Sequence, residues 1–343
     1  MLKLKSIFIT CNLIFILLLF LLINLIISIL FLWRIPMTTR ILNKMRNSEV
    51  EDYLNRGRDV IFIPVGTVEL HGDLPLDCET IYVEAIAEKM AEATDSLTLS
   101  GLPFFYPGAT RTGRGTVYMS IAEGVAYLKH LSASLLKQGF RKQIFLSGHG
   151  PAYLTINSFI MDSFHETMIP FVHISLIQAF QIAIENGWKV NGIPFKQLMY
   201  GAYKQMNQLD YLYVDPNAEQ QEDPTVIPSS KSFNSIVQRL NSLATSPGNV
   251  GYLFEQFSDH GGGEGSRSIA ERDALAAEGE QLIKDFVHFF NPQQVIDDLA
   301  EVDRMTKEHI LPRYPHLHNS FNALLCYPKV AIKSGEHYAF PAF

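Results

Sequence analysis

The residues of this chain that could do chemistry begin at Gly66-Thr67-Val68-Glu69-Leu70-His71, where a carboxylate and an imidazole stand two positions apart just beyond an apolar run. In extended backbone, side chains at i and i+2 point the same way, so Glu69 and His71 enter one cavity from a rigid strand end. Asp77 and Glu79 follow closely. Carboxylate oxygen together with imidazole nitrogen suits zinc, manganese or iron. His149, between Gly148 and Gly150, follows a second apolar run. A third cluster, Ser258-Asp259-His260-Gly261-Gly262-Gly263-Glu264, sets an acid and a base around consecutive glycines that let backbone approach a ligand closely. Cations held by such groups activate water for attack on a carbonyl. Solvated loop residues, or an anion site at a helix start, are the alternative readings of the isolated clusters.

Other chemistries lack their residues. The HGGG string would serve a serine hydrolase only with a G-x-S-x-G elbow downstream, and the sequence has none. H-E-x-x-H, a Walker A loop and a strand-linked G-x-G-x-x-G are also missing. The loop Arg111-Thr112-Gly113-Arg114-Gly115-Thr116 offers a rival function, an anion cradle for a sugar phosphate or nucleotide.

These residues need rigid elements to place them. Asp59 to Val65 reads as a buried strand, with further strands expected near Leu97 to Ser100, Gln143 to Ser147 and Phe171 to Ser175. Helical spacing covers Tyr82 to Ala93, with Thr80 as its expected cap, then Ile121 to Lys137, Leu154 to His165 and Ser266 to Phe290. A short helix near residue 50 is expected to open with a Ser48-x-x-Glu51 capping box. Strand and helix alternate, which predicts a three-layer αβα architecture around a mostly parallel sheet. Ligands in such sheets gather beyond the carboxyl ends of the strands, where Glu69, His71 and His149 fall.

The N-terminus differs from the rest. From Ser6 to Trp33 there is no Asp, Glu, Lys or Arg, a run long enough to cross a bilayer as one helix, so residues 1–36 are expected to be a membrane anchor. A cleavable signal is the weaker reading, because the apolar run is too long and Trp33-Arg34-Ile35-Pro36 offers no small-residue cleavage site. Met37 opens a stretch that would serve equally as the start of a soluble enzyme. Arg34, Arg40, Lys44 and Arg46 after the run place the large domain on the cytoplasmic side by the positive-inside rule. Outside residues 1–36, 25 basic side chains face 35 acidic ones, which disfavours nucleic acid as a partner. The three cysteines show no C-x-x-C pattern and imply no disulfide framework. Residues 37–300 form the expected α/β domain, with a proline- and asparagine-rich insertion at about 209–250 that shapes the substrate pocket. Residues 301–343 form a C-terminal extension.

Taken in order, PVGTVELHGDLPLDCET, GTVYMS, LSGHG and DHGGGEGS resemble the creatininase (creatinine amidohydrolase) family, from about Val60 to Ala277. The resemblance implies two divalent ions, zinc and/or manganese with iron as a further candidate. It casts Glu69, His71, Glu79 and His149 as ligands. Glu79 takes the slot of a bridging aspartate, with Asp77 as its rival. One residue is missing between His71 and Leu74, and Pro151 stands where an acidic ligand is found in creatininase itself. The late motif casts His260 as proton donor to a leaving nitrogen and aligns Glu264 approximately with the family's glutamate, as a catalytic residue or as a ligand of the second metal, while Thr116, Ser120 and Gly262 are the expected substrate contacts. The implied reaction is hydrolysis of an amide, lactam or formamide C–N bond in a small molecule other than creatinine, by a homo-oligomer. An inactive membrane-tethered binding protein of the same fold and a peptidase acting on a modified peptide are the alternatives.

Overall fold

The computed structural model describes residues 37–216, 236–237, 239–243, 250–253 and 265–314. The expected anchor at 1–36 lies outside them, as do His260, Gly262, Glu264, most of the expected insertion and the chain after 314. Among the described residues no helix is long and apolar enough to cross a membrane.

The expected αβα arrangement is present, and all four strands are parallel. Strands β1 (Val60–Val65), β2 (Leu97–Thr98), β3 (Lys142–Ser147) and β4 (Val172–Ser175) lie in the order β2-β1-β3-β4. Helix α1 is Asn47–Asn55, α2 is Cys78–Ala93, α3 is Ile121–Gln138, α4 is Tyr153–Thr167, α5 is Leu176–Glu185 and α6 is Phe195–Gln205. Helices α7 (Ile269–Phe290) and α8 (Pro292–Met305) follow.

Strand periodicity explains the layering. In β1, Val60 and Phe62 join a core with α2, α5, α6, α7 and α8, while Ile61, Ile63 and Val65 join a second core with α1, α3 and α4. Every residue of β1 is buried, as expected of a parallel strand covered on both faces. Phe145 of β3 and Phe171, just before β4, extend the second core, packing on Phe159 of α4.

Two helix starts differ from expectation because a tertiary partner claims the side chain. Helix α2 begins at Cys78 with Asp77 preceding it, and the Thr80 hydroxyl donates instead to the carbonyl of Thr67 at 2.7 Å. The cap of α1 uses Glu49, not the Ser48/Glu51 pair: its carboxylate accepts from the backbone N–H groups of Arg46 at 2.8 Å and Thr38 at 2.9 Å. Elsewhere local signals suffice, with Ser268 capping α7 by accepting from the Glu271 N–H at 3.1 Å.

Candidate metal centre

The register of the sheet brings the first two clusters together. Val65 pairs with Ser147, so the loops after β1 and β3 leave the sheet side by side. The first loop folds back at once: the Glu69 N–H donates to the Leu76 carbonyl at 2.9 Å, and Val117 N–H donates to the Val68 carbonyl at 3.0 Å. Glu69 is thereby pinned by backbone on both sides. The chain then enters α2, whose first turn carries Glu79. In the second loop Gly148 lies against Tyr82, where an added Cβ would sit 2.7 Å from the ring, so this position requires glycine for β3 to rest on α2. His149 follows in extended conformation and leads into a single turn, Gly150–Ala152, before α4.

Three side chains converge there. His149 Nδ1 lies 2.7 Å from Glu79 Oε2 and 3.1 Å from Glu69 Oε1, and ligand atoms of all three lie within 4.8 Å of one another. Glu69 is 1% exposed and His149 is 6% exposed. Two threonines complete the support: Thr67 Oγ1 donates to Glu79 Oε2 at 2.9 Å, and Thr110 Oγ1 donates to Glu69 Oε2.

The electrostatics follow from packing two carboxylates and an imidazole out of water. Burial raises the Glu69 carboxyl to about 7, and the nearby Glu79 charge pushes the same way against His149 and Thr110. Burial alone would lower the His149 pKa, but the Glu79 charge and the hydrogen bonds to both carboxylates overcome it, raising the pKa to about 10. The trio therefore holds a proton through neutral pH in place of another positive charge.

A divalent ion fits this donor set. Zinc bonds of about 2.0–2.2 Å in tetrahedral geometry set ligand atoms roughly 3.4 Å apart, so the two separations from His149 Nδ1, 2.7 Å and 3.1 Å, would each open by less than an ångström. The buried Nε2 of His149 has no hydrogen-bond partner among the described residues, so protein groups leave part of this imidazole's bonding capacity unmet.

His71 is buried at 4% exposure but lies outside the mutual 4.8 Å group. Burial lowers its pKa, with the Glu79 charge acting in the opposite sense. Asp77 is also outside the group, and its Oδ1 accepts from the Tyr203 hydroxyl at 2.7 Å. Thr116 Oγ1 accepts from the Leu70 N–H at 3.2 Å, which holds the first loop. Ser120 caps α3: its hydroxyl donates to Glu123 at 2.7 Å and accepts from the Glu123 N–H at 3.3 Å. A cleft of about 700 Å³ opens beside the first loop, lined by Asp73, Leu74, Pro75, Asp77, Asn207, Gln208 and Tyr211.

Sequence reasoning missed Thr67, Thr110 and Tyr203. Thr67 was within reach, since it stands at i−2 from Glu69 and shares its side of an extended chain. Thr110 and Tyr203 carry no local signal.

A parallel αβα domain with a cluster of carboxylates and an imidazole that could hold a metal ion at the carboxyl edge of its sheet defines the class, an α/β protein with a candidate metal centre. The creatininase family model, described as creatinine amidohydrolase, matches residues 43–198, the segment that holds all four strands of the described sheet. A 3-dehydro-scyllo-inosose hydrolase of Thermotoga maritima is 35% identical over 98 residues, which are 28% of this chain and 32% of that protein. The matched region thus spans about a third of the curated relative's length. A solved putative creatinine amidohydrolase from Bacteroides fragilis shares the fold, with a TM-score of 0.50 and 20% identity over 78% of this chain and 98% of that one. A solved creatinine amidohydrolase (creatininase) is 18% identical, with a TM-score of 0.47, over 73% of this chain and 97% of its own.

Proposed function

We propose that the chain is a metal-dependent hydrolase that opens an amide, lactam or formamide C–N bond in a small molecule other than creatinine. The observation that carries this is the buried Glu69, Glu79 and His149 trio, supported by the match of residues 43–198 to a family model described as creatinine amidohydrolase. Glu69, Glu79 and His149 are the proposed ligands of a first divalent ion, with His71 beside them serving a second. Zinc and manganese are the proposed ions. Such ions lower the pKa of water and polarise a carbonyl oxygen.

The chain's own residues supply the rest. Thr67 and Thr110 orient the two carboxylates by donating to them. Glu69, with its pKa raised by burial, is matched to exchanging a proton near neutral pH. His260 is the proposed proton donor to the leaving nitrogen and Glu264 its partner. Gly262, Thr116 and Ser120 are the proposed substrate contacts. Residues 1–36 are proposed as a membrane anchor, with the hydrolase on the cytoplasmic side as a homo-oligomer.

A second reading is favoured by the Thermotoga maritima relative, whose named substrate contains no nitrogen. In it the same centre would hydrolyse a bond beside a ketone of a carbocyclic polyol.

Metal analysis of the purified protein, with and without His149→Ala, tests the centre. About two ions are expected in the parent and loss in the variant, and undiminished metal content in His149→Ala would sink the proposal. Metal-dependent turnover of an amide panel and of a cyclic polyol diketone then separates the two readings. Turnover of neither, with metal bound, would favour the inactive binding protein.

A further inference from the structure

Two residues before His149, a second hydrogen-bonded chain runs from β3 through β4 to α4. Ser147, the last residue of β3, donates its hydroxyl to Nε2 of His173 on β4 at 2.7 Å. His173 Nδ1–H in turn donates to Oδ1 of Asn157 on α4 at 2.8 Å. Burial pushes the His173 pKa down to about 4, so its ring stays neutral and one tautomer satisfies both contacts.

The topology gives this chain a purpose. Ser147 and Asn157 bracket the stretch 148–156, which contains His149 and the turn Gly150–Ala152. His173 bridges the two ends of that stretch from a neighbouring strand. The segment between carries one of the three converging side chains, and ahead of α4 its turn is closed by the Ala152 N–H donating to the His149 carbonyl at 3.3 Å and by the Tyr153 N–H donating to the Pro151 carbonyl. Ser, His and Asn in this order also make a nucleophile, a base and an orienting group. Ser147, however, is only 1% exposed and is paired on both sides in the ladder, which suits a tether and not a nucleophile.

We propose that Ser147, His173 and Asn157 form a clip that fixes the turn bearing His149, making them positioning residues for the metal centre. This rests on the reading of His149 as a ligand. Groups bonded directly to a metal ligand are typically worth about 10–100-fold in metal affinity, and the clip, which acts on His149 through the backbone, is expected to reach the lower part of that range.

The test uses the full chain and the variants His173→Ala, Asn157→Leu, Asn157→Asp and His149→Ala. Asn157 is exposed, so its variants are expected to fold even where His173→Ala does not. In metal-free protein, hydrogen exchange of peptides covering 148–153 is expected to rise about tenfold or more in His173→Ala and Asn157→Leu, with β1 unchanged. Zinc affinity, measured by chelator competition, is expected to fall about tenfold in the same variants, the lower end for loss of an outer-shell group. Asn157→Asp keeps the acceptor and is expected to restore both readouts. A role in general stability alone would raise exchange across the sheet and leave zinc affinity at the parent value, and that result overturns the clip. Unchanged exchange at 148–153 in Asn157→Leu does so as well, and so does covalent labelling of Ser147 by a fluorophosphonate. If the parent protein and His149→Ala take up zinc equally, or not at all, the metal reading fails. The exchange data then still decide whether the clip holds the turn.

Discussion

Metal binding at this centre is expected to expel protons, and the number follows from the geometry. In the metal-free protein the imidazole of His149 lies 2.7 Å and 3.1 Å from two buried carboxylates and keeps its proton up to about pH 10. At pH 8 a dication entering between them displaces about one proton, so the apparent affinity rises roughly tenfold per pH unit. Below about pH 7, Glu69 takes up a further proton, and the dependence steepens toward roughly two decades per unit. Both folded-state pKa values are raised. The metal-free protein therefore holds its full contribution from these groups at low pH and loses it as pH rises through about 7 and then about 10. Added zinc should rescue stability most strongly on the alkaline side. Calorimetry at pH 8 in two buffers of different ionisation enthalpy reads the released protons directly. Tight binding with no net proton release would mean that the ion sits elsewhere and that the trio is not its ligand set.

Four substitutions separate the roles of neighbouring residues. Glu79→Gln keeps the shape and removes the charge, so zinc affinity should fall beyond the roughly 10–100-fold typical of outer-sphere losses, while Asp77→Asn, which disturbs only the Tyr203 contact, should leave metal content intact. Metal analysis of the pair decides which carboxylate is the ligand. Ser120→Ala should cost about 1 kcal/mol in urea denaturation as a lost helix cap, and a changed KM with unchanged stability would instead make Ser120 a substrate contact. At the crossing of α6 and α7, a Cβ on Gly279 would lie 1.7 Å from the Gln197 carbonyl oxygen, so Gly279→Ala should destabilise by about 3 kcal/mol. A denaturation midpoint unchanged in that variant would refute the close packing of these helices.

The sequence by itself determined the layers and the location of the centre. Apolar runs ending at Val65 and Ser147, alternating with helical periods, are local signals, and parallel strands must place their carboxyl ends on one edge. Glu69 and His149 are therefore legible as neighbours from the two strand ends alone. The start of α2 is not legible in this way, since a threonine that looks like a cap is equally able to hold a distant carbonyl, and only packing decides between them. Glu79 over Asp77 in the buried group is likewise a tertiary outcome: Tyr203, 126 positions along the chain, takes the Asp77 carboxylate and leaves Glu79 facing His149. The threonine donors and the Ser147, His173 and Asn157 chain are decided the same way. Hydrogen bonds between side chains far apart in sequence leave no periodicity to read, and they exist only once the sheet register has set their distances.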